Sequence, residues 1–336
     1  MIYMPFFFFF ILRMVFGRVM CISSNNWLHV WGGLEINLLS FIPIIVCSIN
    51  ENEVESTLKY FLVQALGSSL ILLGRFRLYN YIMGVLRLSF RCILLLFSII
   101  VKLGVFPFHY WLPQVILGLS WFSCIILSTW QKLGPIFIML SIIDNIYSKF
   151  LLIVGSLRSL IGGLGGLNQS QIRALLSYSS IGHIGWMVVC IFYSRTYFII
   201  YFILYCTINI IIMYIMIKIP SKLLNFMIYN HFPLYTIFLL GMLFLSLGGF
   251  PPLLGFYPKI LVMLRCIEND IWLFLIILIG GSLLNIYYYL MVFTNLIIKS
   301  VGSGFLVMKD KSTNFRYYIT LSWSSLLIIL GIVLCL

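Results

Sequence analysis

Apolar runs long enough to cross a bilayer recur from one end of this sequence to the other. A helix needs about 20 predominantly apolar residues to cross the hydrocarbon core. About eleven segments meet that need, with approximate limits 5–21, 31–49, 57–75, 82–111, 116–143, 148–167, 173–193, 197–217, 234–265, 271–297 and 318–336. A membrane β-barrel would instead show alternating segments of about ten residues. Connections are short, and the longest polar stretch, from Lys299 to Arg316, is too small for another domain. The expected fold class is all-α: a polytopic transmembrane helix bundle, one domain over residues 1–336. Composition agrees, with 62% of residues hydrophobic and 9% charged, whereas a soluble domain carries about 25% charge. A soluble enzyme, a disordered chain and a nucleic-acid binder are excluded. Met1 leads through Pro5 into Phe6–Phe10 with no basic leader, which predicts a first span that is retained.

The net charge of +13 comes from 21 Lys and Arg against 8 Asp and Glu. Most basic residues lie between apolar runs, where anionic lipid headgroups are their natural partners. They flank both faces in similar numbers, so charge does not fix the orientation. The acids are more telling. Glu51, Glu53 and Glu55 are expected in one loop, Glu268 and Asp270 in another, Asp310 in a polar tail and Asp144 at the end of a run. Only Glu35 lies clearly within a span. The eight cysteines form no CxxC pair and no Cys/His cluster, which argues against an iron–sulfur or zinc site on this chain. No GxGxxG or Walker loop offers a nucleotide site. Gly162-Gly163-Leu164-Gly165-Gly166 reads as close helix packing.

Two spans are interrupted by the same string. Leu103-Gly104-Val105-Phe106-Pro107 precedes Pro113, and Leu247-Gly248-Gly249-Phe250-Pro251 precedes Pro252 and Pro258. Proline removes a helix hydrogen bond and glycine loosens the helix further. In lipid, such a break survives only where protein or a wet cavity satisfies the freed backbone. The breaks, near 102–113 and 247–259, fall in the fourth and ninth spans. An odd separation makes the two helices cross in opposite directions. That is the pattern of an inverted repeat in ion and substrate transporters; a pair of ordinary proline kinks is the alternative.

A charge at the bilayer centre costs about 2.5–3.5 kcal/mol on insertion scales, so intramembrane ionisable residues point to function. Glu35 lies in the second span, Lys102 directly before the first break, Lys132 well inside the fifth span and Lys259 just after Pro258 at the second break. Burial disfavours a charged lysine and a nearby carboxylate favours it, so a lysine whose acidic partner moves can take up or release a proton. One acid and three lysines thus make a possible proton relay. Snorkelling is the alternative for Glu35 and Lys102, and an ordinary helix end is the alternative for Lys259. His183 is mid-span, and a histidine there serves either as a proton carrier or as a hydrogen-bonded packing residue. His109 lies in the first break, while His29 and His231 read as loop residues. Arg87, Arg91 and Arg158 read as helix-end anchors, because arginine does not readily shuttle protons.

Several strings together resemble a known family. They are Gly33-Leu34-Glu35-Ile36-Asn37-Leu38-Leu39-Ser40-Phe41-Ile42-Pro43, Lys59-Tyr60-Phe61-Leu62-Val63-Gln64-Ala65, Lys102-Leu103-Gly104 leading to Pro107-Phe108-His109-Tyr110-Trp111-Leu112-Pro113, Thr129-Trp130-Gln131-Lys132, and Tyr178-Ser179-Ser180-Ile181-Gly182-His183. In order from Trp31 to Lys259, they resemble the mitochondrial NADH–ubiquinone oxidoreductase chain 2 family, antiporter-like membrane subunits of respiratory complex I. The resemblance implies a Glu35–Lys102 pair, Lys132 on a central hydrophilic axis, Lys259 continuing that axis and His183 as a further carrier. It implies proton pumping coupled to electron transfer from NADH to ubiquinone. NADH, flavin mononucleotide, iron–sulfur clusters and ubiquinone would be handled by partner subunits, with no cofactor on this chain. It also implies other complex I membrane subunits as partners, membrane lipid around the chain, and a place in the mitochondrial inner membrane. Where the family often has an acid after Trp-Leu-Pro, this chain has Gln114. A cation/proton antiporter subunit and a structural membrane spacer are the competing functions.

Overall fold

The computed structural model describes residues 4–46, 50–75, 86–142, 148–218, 234–251 and 253–304. The expected eleventh span, together with Asp144, His231 and Asp310, lies outside them. The described residues form thirteen α-helices, one 3-10 helix (Leu254–Phe256) and no strand: α1 (Met4–Ser23), α2 (Trp27–Val46), α3 (Glu51–Arg75), α4 (Leu86–Leu103), α5 (Trp111–Gly118), α6 (Trp121–Ser128), α7 (Trp130–Ile142), α8 (Ser148–Leu167), α9 (Ile172–Tyr193), α10 (Arg195–Lys218), α11 (Leu234–Gly248), α12 (Tyr257–Glu268) and α13 (Trp272–Gly304). Among the described residues, eight stretches are long and apolar enough to cross a membrane: α1, α2, α3, α6 with α7, α8, α9, α10 and α13. The pairs α4/α5 and α11/α12 are the two broken helices.

Helix α9 is the centre of the bundle and is buried along almost its whole length. It packs on α8, and α8 packs on α13. Glycine makes that approach possible. A Cβ at Gly162 would lie 2.6 Å from the Gly182 backbone nitrogen, and one at Gly185 would lie 2.6 Å from the Gly155 carbonyl. Without a large hydrophobic drive between helices in lipid, such close backbone contact is what holds them together.

Three local expectations are corrected. Glu51, Glu53 and Glu55 are not in a loop but open α3, with the Glu53 and Val54 amides bonded to the Asn50 carbonyl. Acids there meet the positive end of the helix dipole, and Glu55 pairs with Lys59 one turn on at 2.6 Å. His29 is exposed on the first turn of α2. The segment 116–143 is not one helix. Its start belongs to α5, and Thr129 interrupts the rest, its hydroxyl returning to the Ile125 carbonyl at 2.7 Å between α6 and α7.

Candidate functional site: buried cations at helix interruptions

The end of any helix leaves four carbonyls without helical partners. At the first break all four find donors within the protein. Gly104 adopts φ +65° and closes a Schellman turn, its amide reaching Val101 O at 3.1 Å while the Val105 amide reaches Ile100 O at 2.8 Å. Trp111 Nε1, at the start of α5, donates to Val101 O at 3.2 Å. Gln64 Nε2 of α3 donates to Lys102 O at 3.1 Å, and Arg158 Nη2 of α8 donates to Leu103 O at 3.0 Å.

The second break repeats the turn one residue later in the shared string. Gly249 has φ +82°, its amide bonds to Ser246 O at 3.0 Å, and the Phe250 amide bonds to Leu245 O at 3.1 Å. Four residues beyond Gly248 stands Pro252, which has no N–H to give. The Gly248 carbonyl is instead taken by Lys259 Nζ at 2.5 Å. Lys259 is 1% exposed and lies over the Trp186 ring, 5.9 Å from its centroid.

A third interruption holds Lys132. The Gln131 carbonyl would bond to the amide of residue 135, but that residue is Pro135. Arg18 of α1 fills the gap, donating to Gln131 O and to Gln131 Oε1, both at 2.6 Å. Asn37 Nδ2 also donates to Gln131 Oε1. Lys132, so placed in the first turn of α7, donates to the Tyr205 hydroxyl at 2.9 Å.

The lysines share surroundings. Lys102 and Lys132 line one cavity with Tyr60, Gln64, Trp111 and Gln131. Its volume of about 20 Å³ exceeds the roughly 10–15 Å³ that one water needs. The Lys102 stem crosses Gly67, where a Cβ would come within 2.5 Å of its Cγ. Beyond Lys132, the Tyr205 ring lies 5.1 Å from the His183 ring, and His183 Nδ1 shares a 3.0 Å hydrogen bond with the Tyr201 hydroxyl. Glu35 is half-buried on α2 and within electrostatic reach of Lys102, but no ion pair within 4.0 Å joins them.

The structure therefore brings Lys102, Lys132 and His183 into one succession, with Lys259 against the same helix α9, and keeps Glu35 at a short remove. His109 is buried but bonds locally, its Nδ1 to Pro107 O at 3.2 Å. Arg158 is not a helix-end anchor. It lies in the middle of α8 with no exposed surface, because the glycine-lined approach of α9 leaves no lipid on that face. The side chains of Arg87 and Arg91 lie outside the described residues. Sequence reading missed Arg18, Gln131 and Tyr205. Gln131 carried a signal, since it stands four residues before a proline. Tyr205 carried none among 20 tyrosines. No group of three or more His, Cys, Asp or Glu able to hold a metal occurs among the described residues.

Two broken helices in an apolar bundle, with lysines buried at the interruptions, are the architecture of an antiporter-like membrane subunit. The chain belongs to the NADH:quinone oxidoreductase/Mrp antiporter transmembrane family, whose model matches residues 24–285. Its relatives are NADH-ubiquinone oxidoreductase chain 2 proteins. That of Lumbricus terrestris is 38% identical over 297 residues, covering 86% of this chain and 84% of the relative. That of Anopheles gambiae is 40% identical over 293 residues, covering 84% and 83%. The fold is also that of a chain of respiratory complex I from Thermus thermophilus (TM-score 0.72, 22% identity, 88% of this chain and 76% of that one). A chain of the Mrp complex from Dietzia sp. shares it as well (TM-score 0.75, 18% identity, 85% and 59%).

Proposed function

We propose that this chain is a proton-translocating membrane subunit of respiratory complex I in the mitochondrial inner membrane. It works beside other membrane subunits and within lipid that includes anionic headgroups. One observation carries the reading: Lys102, Lys132 and Lys259 are all buried, and each stands where a helix is interrupted. Lys259 bonds to a freed carbonyl, Lys132 to the Tyr205 hydroxyl, and Lys102 borders the cavity; neutral groups of this kind accept from a charged lysine without a permanent counter-ion, so neither protonation state is locked in. Arg18, Lys102, Lys132, Arg158 and Lys259 are all buried, and among the described residues the acid within electrostatic reach is Glu35, beside Lys102. Burying so many unpaired charges at once is costly, which favours passing a proton along the line over holding every site charged.

In this reading, redox chemistry in partner subunits, which hold NADH, flavin, iron–sulfur clusters and ubiquinone, alters the field at Glu35 and Lys102. Moving a carboxylate away from a buried lysine favours release of its proton. The cavity beside Lys102 leads that proton to Lys132, and the Tyr205 hydroxyl and His183 carry the line towards Lys259. Coupling requires that the driving event act differently on the two charge states.

The test has two parts. Native electrophoresis of source membranes, with antibody detection and an in-gel NADH oxidation stain, should show this chain in a very large NADH-oxidising band. Migration in a small particle with sodium-dependent pH exchange would favour an antiporter subunit. In the assembled complex, Lys132→Met should abolish coupled proton translocation while leaving assembly intact; normal pumping would sink the relay.

A further inference from the structure

We propose that Arg158 is a positioning residue of the proton relay: a clamp that ties the end of the first broken helix to the helix carrying His183. The inference rests on the relay reading above.

The observations are geometric. Arg158 sits mid-way along α8 with no exposed surface. Its Nε donates to Ile181 O of α9 at 3.0 Å, and its Nη2 donates to Leu103 O of α4 at 3.0 Å. Leu103 directly follows the relay residue Lys102, and Ile181 stands two residues before His183. One side chain thus spans both ends of the Lys102–Lys132–His183 succession without being part of it. The guanidinium is a rigid planar fork, so it fixes the separation of the two carbonyls as well as binding each. The Leu103 carbonyl is the last of α4, at the negative end of that helix, where a cation is favoured.

The second break supports the assignment. Its last helical carbonyl, Gly248 O, occupies the same place before the left-handed glycine and is also held by a buried cation, Lys259. The station is therefore occupied twice in the molecule. In the first half it belongs to a group that stays charged, which suits holding a position and not exchanging a proton. Arg158 also lies within electrostatic reach of Lys132, so its placement bears on the relay through charge as well as through backbone geometry.

The test uses the full chain in the assembled complex, reconstituted in vesicles, with Arg158→Lys and Arg158→Met. A lysine keeps the charge but offers a single nitrogen in place of the fork whose Nε and Nη2 each take one carbonyl. Assembly would be scored on native gels. Protons moved per electron, and the pH profile of pumping, would be measured on the assembled fraction. The expected result for Arg158→Lys is normal assembly, a roughly tenfold lower proton translocation rate, the scale of one lost charge-assisted hydrogen bond, and a displaced pH profile. Arg158→Met should be lower still. Wild-type pumping and profile in Arg158→Lys would overturn the clamp, leaving at most a role for charge. Normal pumping per assembled complex in Arg158→Met would reduce the residue to packing. Failure of both variants to assemble would overturn the positioning role in favour of a purely structural one. Loss of pumping in Lys132→Met with none in Arg158→Lys removes only the clamp; normal pumping in Lys132→Met removes the relay and the clamp together.

Discussion

At the first break the last carbonyl of α4 is held by Arg158, a residue of a different span. At the second, the last carbonyl of α11 is held by Lys259, from the second half of the same broken helix. The turn is the same in both places, with a left-handed glycine and the amide after it reaching back five residues. The division of labour differs. The first break separates two tasks: Arg158 holds the backbone, and Lys102 is left to face the cavity. The second break unites them in Lys259, which both holds the backbone and is the ionisable group. A break whose holder is an arginine is indifferent to proton exchange. A break whose holder is a lysine is not.

That contrast can be broken experimentally, and the sharpest way is Lys259→Arg. The variant keeps a cation for the Gly248 carbonyl but stays charged. We expect normal assembly on native gels and abolished proton translocation in vesicles; retained pumping would make the second break as static as the first. The next largest effect should come from the glycines. An alanine in left-handed conformation costs roughly 1–2 kcal/mol at either position. At Gly249 the new Cβ would also lie 2.6 Å from Lys259 Nζ, whereas at Gly104 its nearest neighbour is Trp111 Nε1 at 3.1 Å. Gly249→Ala should therefore lower pumping several-fold more than Gly104→Ala, read as protons per electron in assembled complexes. Gly67→Ala should act on the first break alone by displacing the Lys102 stem. We expect a pumping rate down a few-fold with thermal inactivation little changed. The smallest effect should be that of Gln64→Leu, which removes the donor to Lys102 O. A loss of about 1 kcal/mol is expected, measurable as a lower midpoint of thermal inactivation with pumping nearly intact.

Much of the fold was legible because length and apolar character are strong signals. The segments 148–167, 173–193 and 197–217 match α8, α9 and α10 within a few residues. Both breaks were legible from their Gly-x-Phe-Pro strings, but their register was not. In the first string only Gly104 can take the left-handed conformation, since Val105 carries a branched side chain. In the second, Gly248 stays helical and Gly249 makes the turn, so the helix runs one residue further. The acidic cluster at the start of α3 looked like a loop because charge also marks loops; the dipole at a helix start favours the same residues. The lysines were visible by their scarcity in apolar surroundings, while their holders were not. Arg18 and Gln131 are 113 residues apart, and no local pattern announces a contact made through space. Arg158 was misread for the same reason: an arginine in an apolar run looks like an anchor until a neighbouring helix is known to cover it.

The burial of α9 carries a further consequence. From Ser179 to Ile191 every residue of that helix is enclosed by protein, so the side carrying His183 never meets an acyl chain. An energised membrane drives ions through any thin or wet place near its middle. Here the helix that borders the polar line is jacketed on all sides by other helices, with α8 pressed backbone to backbone against it. The jacket works as electrical insulation, as the sheath does around a wire. Loosening it, by placing a side chain at Gly162 or Gly185, should make the membrane leaky to protons even when no NADH is being oxidised.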